Sequence, residues 1–248
     1  MTRISWSKRL STLFAATLIV TLTCVALGIW QIARLHQKQQ FNKGMRASLA
    51  ADPRPAPELL SADVDPDAVR FTRVDARGTY DAENQVELYG RTQDGRPGSH
   101  LLTPLLVEGG LAVIVDRGWI PVDPEPSWKT PPLGQVEVTG VLFASEGDPP
   151  GQVGAASERV DTLVHVDLAQ IQAQLPYPIA PVYVLLQGPA LDGAELPVPA
   201  PLPELSEGPH LSYALQWFTF AVIAQVGFAI LARREGRESR GTRADELG

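Results

Sequence analysis

The 248-residue sequence predicts a membrane protein of the α+β class. Two transmembrane helices flank an extracytoplasmic, antiparallel β-rich domain, a small barrel or sandwich with one or two short helices. Three observations predict it. An uncharged apolar block lies near each end, at residues 10–30 and 211–232. Basic residues collect outside both blocks, with Arg3, Lys8 and Arg9 before the first and Arg233, Arg234 and Arg237 after the second. Between the blocks, short β-like runs alternate with Pro- and Gly-rich turns, as the 22 Pro and 21 Gly allow.

The first block, LSTLFAATLIVTLTCVALGIW, rises about 30 Å as a helix, the thickness of a hydrocarbon core. A cleavable signal peptide is its rival, given the basic residues ahead of it. The apolar run is too long for that, and no A-x-A-like site follows, so an uncleaved span is placed at 10–32. The second block, LSYALQWFTFAVIAQVGFAILA, is equally uncharged but contains Gln216 and Gln225. Positive residues mark the inner side. Arg34, Lys38, Lys43 and Arg46 blunt the contrast, yet both termini (1–9 and 233–248) are expected in the cytoplasm and residues 33–209 outside.

Mean hydropathy near zero (−0.02) therefore conceals a segregated chain. The segment 33–209 carries 13 Lys+Arg against 24 Asp+Glu, a net charge of −11. Such a surface is unsuited to nucleic acid, which needs clustered Lys and Arg against phosphates. The one cysteine, Cys24, lies in the first apolar block, which excludes an intrachain disulfide framework, a Cys-based zinc site and a redox Cys pair.

Residues 33–50 read as helix, with no breaker until Gly44, and 51–67 as a Pro- and Asp-rich linker. Strand-like runs follow at 70–80, 85–91, 100–108 and 111–120, the last two joined through Gly109-Gly110, a tight-hairpin signal. Residues 121–134 form a proline-laden loop that cannot enter a central strand. A well-alternating strand at 135–144, a loop from 146 to 154, a short helix at 167–175 N-capped by Asp167, and a strand at 181–188 complete the domain. The polar tail 235–248 is expected to lack structure.

Motifs for dinucleotide, P-loop, zinc-protease or serine-hydrolase chemistry are absent from the sequence. His100 and His165 adjoin strand patterns where a half-exposed histidine is ordinary. Asp116-Arg117-Gly118-Trp119 reads as an Asp–Arg pair holding a turn, with Trp119 capping the barrel. No enzyme is indicated.

The membrane edge is more informative. The inferred topology brings Trp30, Gln31 and Arg34 to the same side of the bilayer as His210, Tyr213, Gln216 and Trp217. His210, Tyr213 and Trp217 share one stripe at helical spacing. An interfacial aromatic belt accounts for Trp30, Tyr213 and Trp217. It accounts less well for His210, and hardly for Gln216, because polar groups at that depth usually face a partner. A histidine there can ligate haem iron through a neutral imidazole nitrogen, with Arg34 pairing a propionate.

GIWQIARLHQKQ (28–39) resembles the signature ending the first span of the surfeit locus protein one family. GSHLLTPL (98–105), VIVDRGWIP (113–121) and VEVTGVL (136–142) are similar to its domain motifs, and HLSYALQWFTFA (210–221) to its closing signature. The resemblance implies an assembly factor for haem–copper cytochrome c oxidase. Such a factor aids haem a insertion or stabilisation in the catalytic subunit, with oxidase subunits, haem a synthase and the lipid bilayer as partners. It implies haem contact through His210, with Tyr213, Gln216, Trp217, Trp30, Gln31 and Arg34 as candidate neighbours. A bacterial plasma membrane is expected, since the short N-terminus has no mitochondrial transit character. The alternative is a cofactor-free membrane scaffold binding oxidase subunits.

Overall fold

The computed structural model describes residues 8–147, 159–188 and 196–245, with side chains as far as Arg237. Arg3, most of the loop expected at 146–154 and the last three residues of the tail lie outside the described residues. The chain divides into two compact units, Met1–Gly44 with Glu204–Gly248, and Met45–Pro203.

The first unit is built on two long helices. The N-terminal helix, Lys8–Ala50, runs unbroken through Gly44 and stops as Pro53 approaches, because the residue before proline is forced out of helical geometry. The C-terminal helix, His210–Asp245, starts directly after Pro209. Both are long and apolar enough to cross a membrane. Their outward faces expose Ile19, Leu22, Ile29, Val222 and Ile223, side chains suited to lipid. Their facing sides hold small residues, with Cys24 buried on one helix and Ala214 and Ala221 on the other. A Cβ on Gly28 would lie 2.6 Å from Phe218 Cε1, so the glycine admits the Phe218 ring. Gln225 Nε2 donates to Thr21 Oγ1 (2.7 Å), which satisfies a polar group within the apolar stretch. Residues 235–245, expected to lack structure, instead continue the helix. Arg, Glu and Ala favour it, and propagating an existing helix costs far less than nucleating one.

The second unit is a five-stranded barrel with attachments. Eight strands form one sheet: β1 (Arg54–Pro55), β2 (Arg73–Tyr80), β3 (Val86–Gln93), β4 (Arg96–Val107), β5 (Ala112–Pro121), β6 (Gln135–Ala144), β7 (Thr162–Leu163) and β8 (Ile179–Leu186). The order β2-β6-β8-β5-β4 closes on itself through Gly78–Val107, Thr79–Leu106 and Tyr80–Leu105, while β3, β7 and β1 are appended at the margins. All barrel pairings are antiparallel except β5–β8, which is parallel. The antiparallel β-rich barrel expected from sequence is thus present, with one parallel pairing inside it. Parallel pairing needs a crossover of a dozen or more residues, and the chain between β5 and β8 supplies it.

Two apolar clusters explain why β5, β6 and β8 are nearly continuous in hydrophobic residues. Val74, Ala76, Leu105, Val113, Val115, Val138, Leu142, Val182 and Val184 form one cluster. Alternate residues of the same strands, Ala112, Ile114, Val141, Phe143, Tyr183 and Leu185, pack with Leu168 and Ile171 of the helix Leu168–Ala173 in the other. A strand buried on both faces loses its period-2 signature. Asp167 caps that helix as expected, its Oδ1 accepting from the N–H groups of Ala169 and Gln170.

Two further expectations need correction. Residues 51–67 are not merely a linker, since β1 pairs with β2, and the short helices Ala56–Leu59 and Pro66–Val69 bury Ala56, Leu59 and Val69. Pro57 and Pro66 sit at the opening of these helices, where the missing N–H costs nothing. The strand expected to begin at His100 begins at Arg96, because Asp94 (φ 49°) and Gly95 (φ 76°) make a two-residue hairpin turn.

Candidate functional site

His210 opens the C-terminal helix, and Tyr213 N–H donates to Pro209 O (3.1 Å) in its first turn. The imidazole reaches the N-terminal helix, where its Nδ1 lies 2.9 Å from Gln31 Oε1. An amide oxygen only accepts, so Nδ1 donates to it, and in the neutral ring this leaves the lone pair on Nε2. Among the described residues nothing hydrogen-bonds Nε2. A Cβ added at Gly208 would stand 3.5 Å from Nε2, in ordinary van der Waals contact with the ring.

The segment entering the C-terminal helix is held beside the N-terminal one by further polar contacts. Gln39 Nε2 donates to Glu207 Oε2 (3.1 Å), and Asn42 Nδ2 to the carbonyls of Leu205 (3.3 Å) and Ser206 (3.2 Å). Gln31, Leu35, Gln39 and Asn42 recur at helical spacing, and Leu35 and Asn42 are buried. Sequence reading missed Gln39 and Asn42; their spacing from Gln31 was the available signal.

The other expected site residues are placed unequally. Trp217, two turns after His210, falls on the same stripe, half-buried with its ring edge-on to Phe220 at 5.9 Å. Tyr213 (47% exposed) and Trp30 (53%) present aromatic surface on the flanks. Arg34 lies one turn from Trp30 and donates to Gln37 Oε1 (3.1 Å). Gln216 is not brought to this stripe. Six residues at about 100° each put it about 120° around the helix from His210, and its side chain is exposed.

The donor set is one that could hold a haem iron: an imidazole with one nitrogen anchored and, among the described residues, no partner at the other, exposed aromatic surface on the flanks, and a cation on the neighbouring helix. His210 would hold the group through its imidazole nitrogen. When bound, the group brings its redox and ligand-binding chemistry; the chain's own residues bind and orient.

A second pair of motifs meets in the barrel. His100 Nδ1 lies 2.9 Å from Asp116 Oδ2, and Asp116 Oδ1 accepts from Gly118 N–H at 3.0 Å. The expected Asp116–Arg117 pair does not form, because successive strand residues point to opposite faces. Arg117, 4% exposed, instead donates to Gln85 Oε1 (2.9 Å), Lys129 O (2.9 Å) and Thr130 O (3.2 Å), tying the proline-laden loop to the barrel. Burial draws its guanidinium below the ordinary value, partly offset by Tyr80. Trp119 is buried as expected. Among the described residues no cluster of three His, Cys, Asp or Glu could hold a metal ion.

The model of the SURF1 family matches residues 18–222, which takes in most of the first helix, the barrel and the opening turns of the second helix. The chain belongs to the SURF1 family. An uncharacterised SURF1-like protein of Mycobacterium tuberculosis is 28% identical over 254 residues, covering 98% of this chain and 92% of that protein. A SURF1-like protein of Rickettsia felis is 25% identical over 226 residues (87% and 95%), and the mouse Surfeit locus protein 1 is 27% identical over 148 (54% and 48%). The SURF1 family, known as cytochrome oxidase assembly factors, fits the general role implied by the motifs, and with the two apolar helices it supports a membrane location.

Proposed function

We propose that this chain is a non-enzymatic assembly factor for haem–copper cytochrome c oxidase that holds haem a through His210 Nε2 and aids its insertion or stabilisation in the catalytic subunit. Oxidase subunits are its partners, and haem a synthase is the source of the cofactor. It works in a bacterial plasma membrane, with both termini cytoplasmic and the barrel outside. The observation that carries the reading is His210 itself, an imidazole whose Nε2 has no partner among the described residues, at the head of an apolar helix and on one stripe with Tyr213 and Trp217.

The test is the absorption spectrum of protein purified after co-expression with haem a synthesis. Wild type is expected to carry a haem a band that His210→Ala loses or shifts. An unchanged band in His210→Ala removes His210 as the ligand. Protein that co-purifies with oxidase subunits yet never carries pigment would support the cofactor-free scaffold instead.

A further inference from the structure

The pairing of Gln31 with His210 goes beyond ligation. We propose that Gln31 is a positioning residue that selects the Nδ1–H tautomer of His210 and aims its Nε2 lone pair; as regards haem, the proposal rests on the reading above. Three observations carry it.

Histidine free in water favours the opposite tautomer, with the hydrogen on Nε2, which offers no lone pair there. The 2.9 Å contact from Nδ1 to Gln31 Oε1 reverses that preference, because a carbonyl oxygen rewards only a donor. The two residues are 179 apart in sequence and belong to different helices of one compact unit, so the bond registers one helix against the other at the ligand. The contacts of Gln39 with Glu207 and of Asn42 with Leu205 and Ser206 hold the approach to His210 on the same helix face. Finally, among the described residues no hydrogen-bond partner meets Nε2, so the tautomer that Gln31 selects leaves its lone pair unengaged by the protein. A neutral amide acceptor also leaves the imidazole a moderate donor, whereas a carboxylate at that position would push it toward imidazolate and strengthen its hold on ferric iron.

The test uses the full chain in detergent micelles, 15N-labelled at histidine, above the histidine titration range, with His210 assigned by comparison with His210→Ala. Nitrogen chemical shifts report the tautomer without any haem. Wild type is expected to show His210 as Nδ1–H, Gln31→Leu to revert toward Nε2–H, and Gln31→Glu to restore Nδ1–H. Gln31→Asn, one methylene shorter, takes the place of Gln31→Leu where that variant does not accumulate, and the same reversion is expected. A wild-type His210 already in the Nε2–H form, or a tautomer unmoved by Gln31→Leu or its substitute Gln31→Asn, overturns the proposal. In haem a-loaded protein, Gln31→Leu is expected to weaken retention about 10–100-fold and Gln31→Glu to lower the midpoint potential. Wild type without a haem band would sink the haem reading alone, and the tautomer result would still decide the role of Gln31.

Discussion

Gly118→Ala offers the sharpest test of how the barrel holds the segment that leads toward the C-terminal helix. Gly118 has φ +116°, outside the range an L-residue adopts without strain, and a Cβ there would lie 2.2 Å from Val198 O. That carbonyl accepts from Trp119 N–H (2.7 Å), and Val198 N–H donates back to Trp119 O (2.9 Å), so this bridge fastens residues around 198 to β5. Backbone strain of about 1–3 kcal/mol adds to the loss of two hydrogen bonds worth about 1 kcal/mol each, for a total of about 3–5 kcal/mol. Gly90→Ala is the control. Its φ is +78° and nothing lies within 4 Å of the added carbon, so it should cost only the backbone strain, about 1 kcal/mol. The assays are equilibrium urea unfolding in micelles and hydrogen exchange of peptides spanning 112–121 and 196–203. Gly118→Ala should lose stability well beyond the control and expose the Trp119 and Val198 amides to exchange. Equal costs for the two variants, with those amides still protected, would refute the reasoning.

Two other perturbations probe the second unit. Arg117→Met should destabilise by about 2–4 kcal/mol, since three acceptors lose their donor, and should open residues 121–134 to limited proteolysis; Arg117→Lys should not rescue it, because an ammonium cannot span Gln85 and two carbonyls as a planar fork does. Burial pushes the Asp81 carboxyl up, but hydrogen bonds from Asn84, Tyr177 (2.5 Å) and two backbone N–H groups outweigh it, leaving the pKa below its ordinary 3.8. A depressed carboxyl stabilises above its unfolded pKa and loses that contribution as pH falls through the folded one, so Asp81→Asn or Tyr177→Phe should flatten the decline in stability between about pH 5 and pH 2 in acid-titrated unfolding.

The two helices were legible in sequence because membrane spans announce themselves by length and lack of charge alone. The strands were legible wherever alternation or a Gly-Gly turn marked them. What escaped notice has specific causes. The Asp94-Gly95 turn is a strong hairpin signal, but Pro97 and Gly98 directly after it disguise the start of β4 as loop. The two-residue strands β1 and β7 are too short to carry a period. At the membrane edge, Gln31 and His210 were both named from sequence, yet their bond was not. A contact between residues 179 apart depends on the rotation of each helix, which composition does not encode. Gln216 shows the converse, since a motif groups residues by sequence and its helix then turns them apart.

The topology of the barrel also has a consequence for biosynthesis. Every residue of β5 from Ala112 to Ile120 is buried in the finished protein, yet β5 pairs with Ile179 and Tyr183–Leu185 of β8, more than sixty residues later. At about 5–20 residues per second, the nascent chain carries this apolar strand without its β8 partner for several seconds after the first helix has been made. The edge of β5 meanwhile offers unpaired backbone groups to any neighbouring chain. This contact order makes β8, completed just before the final helix, the strand whose arrival ends the period of greatest risk of misassembly.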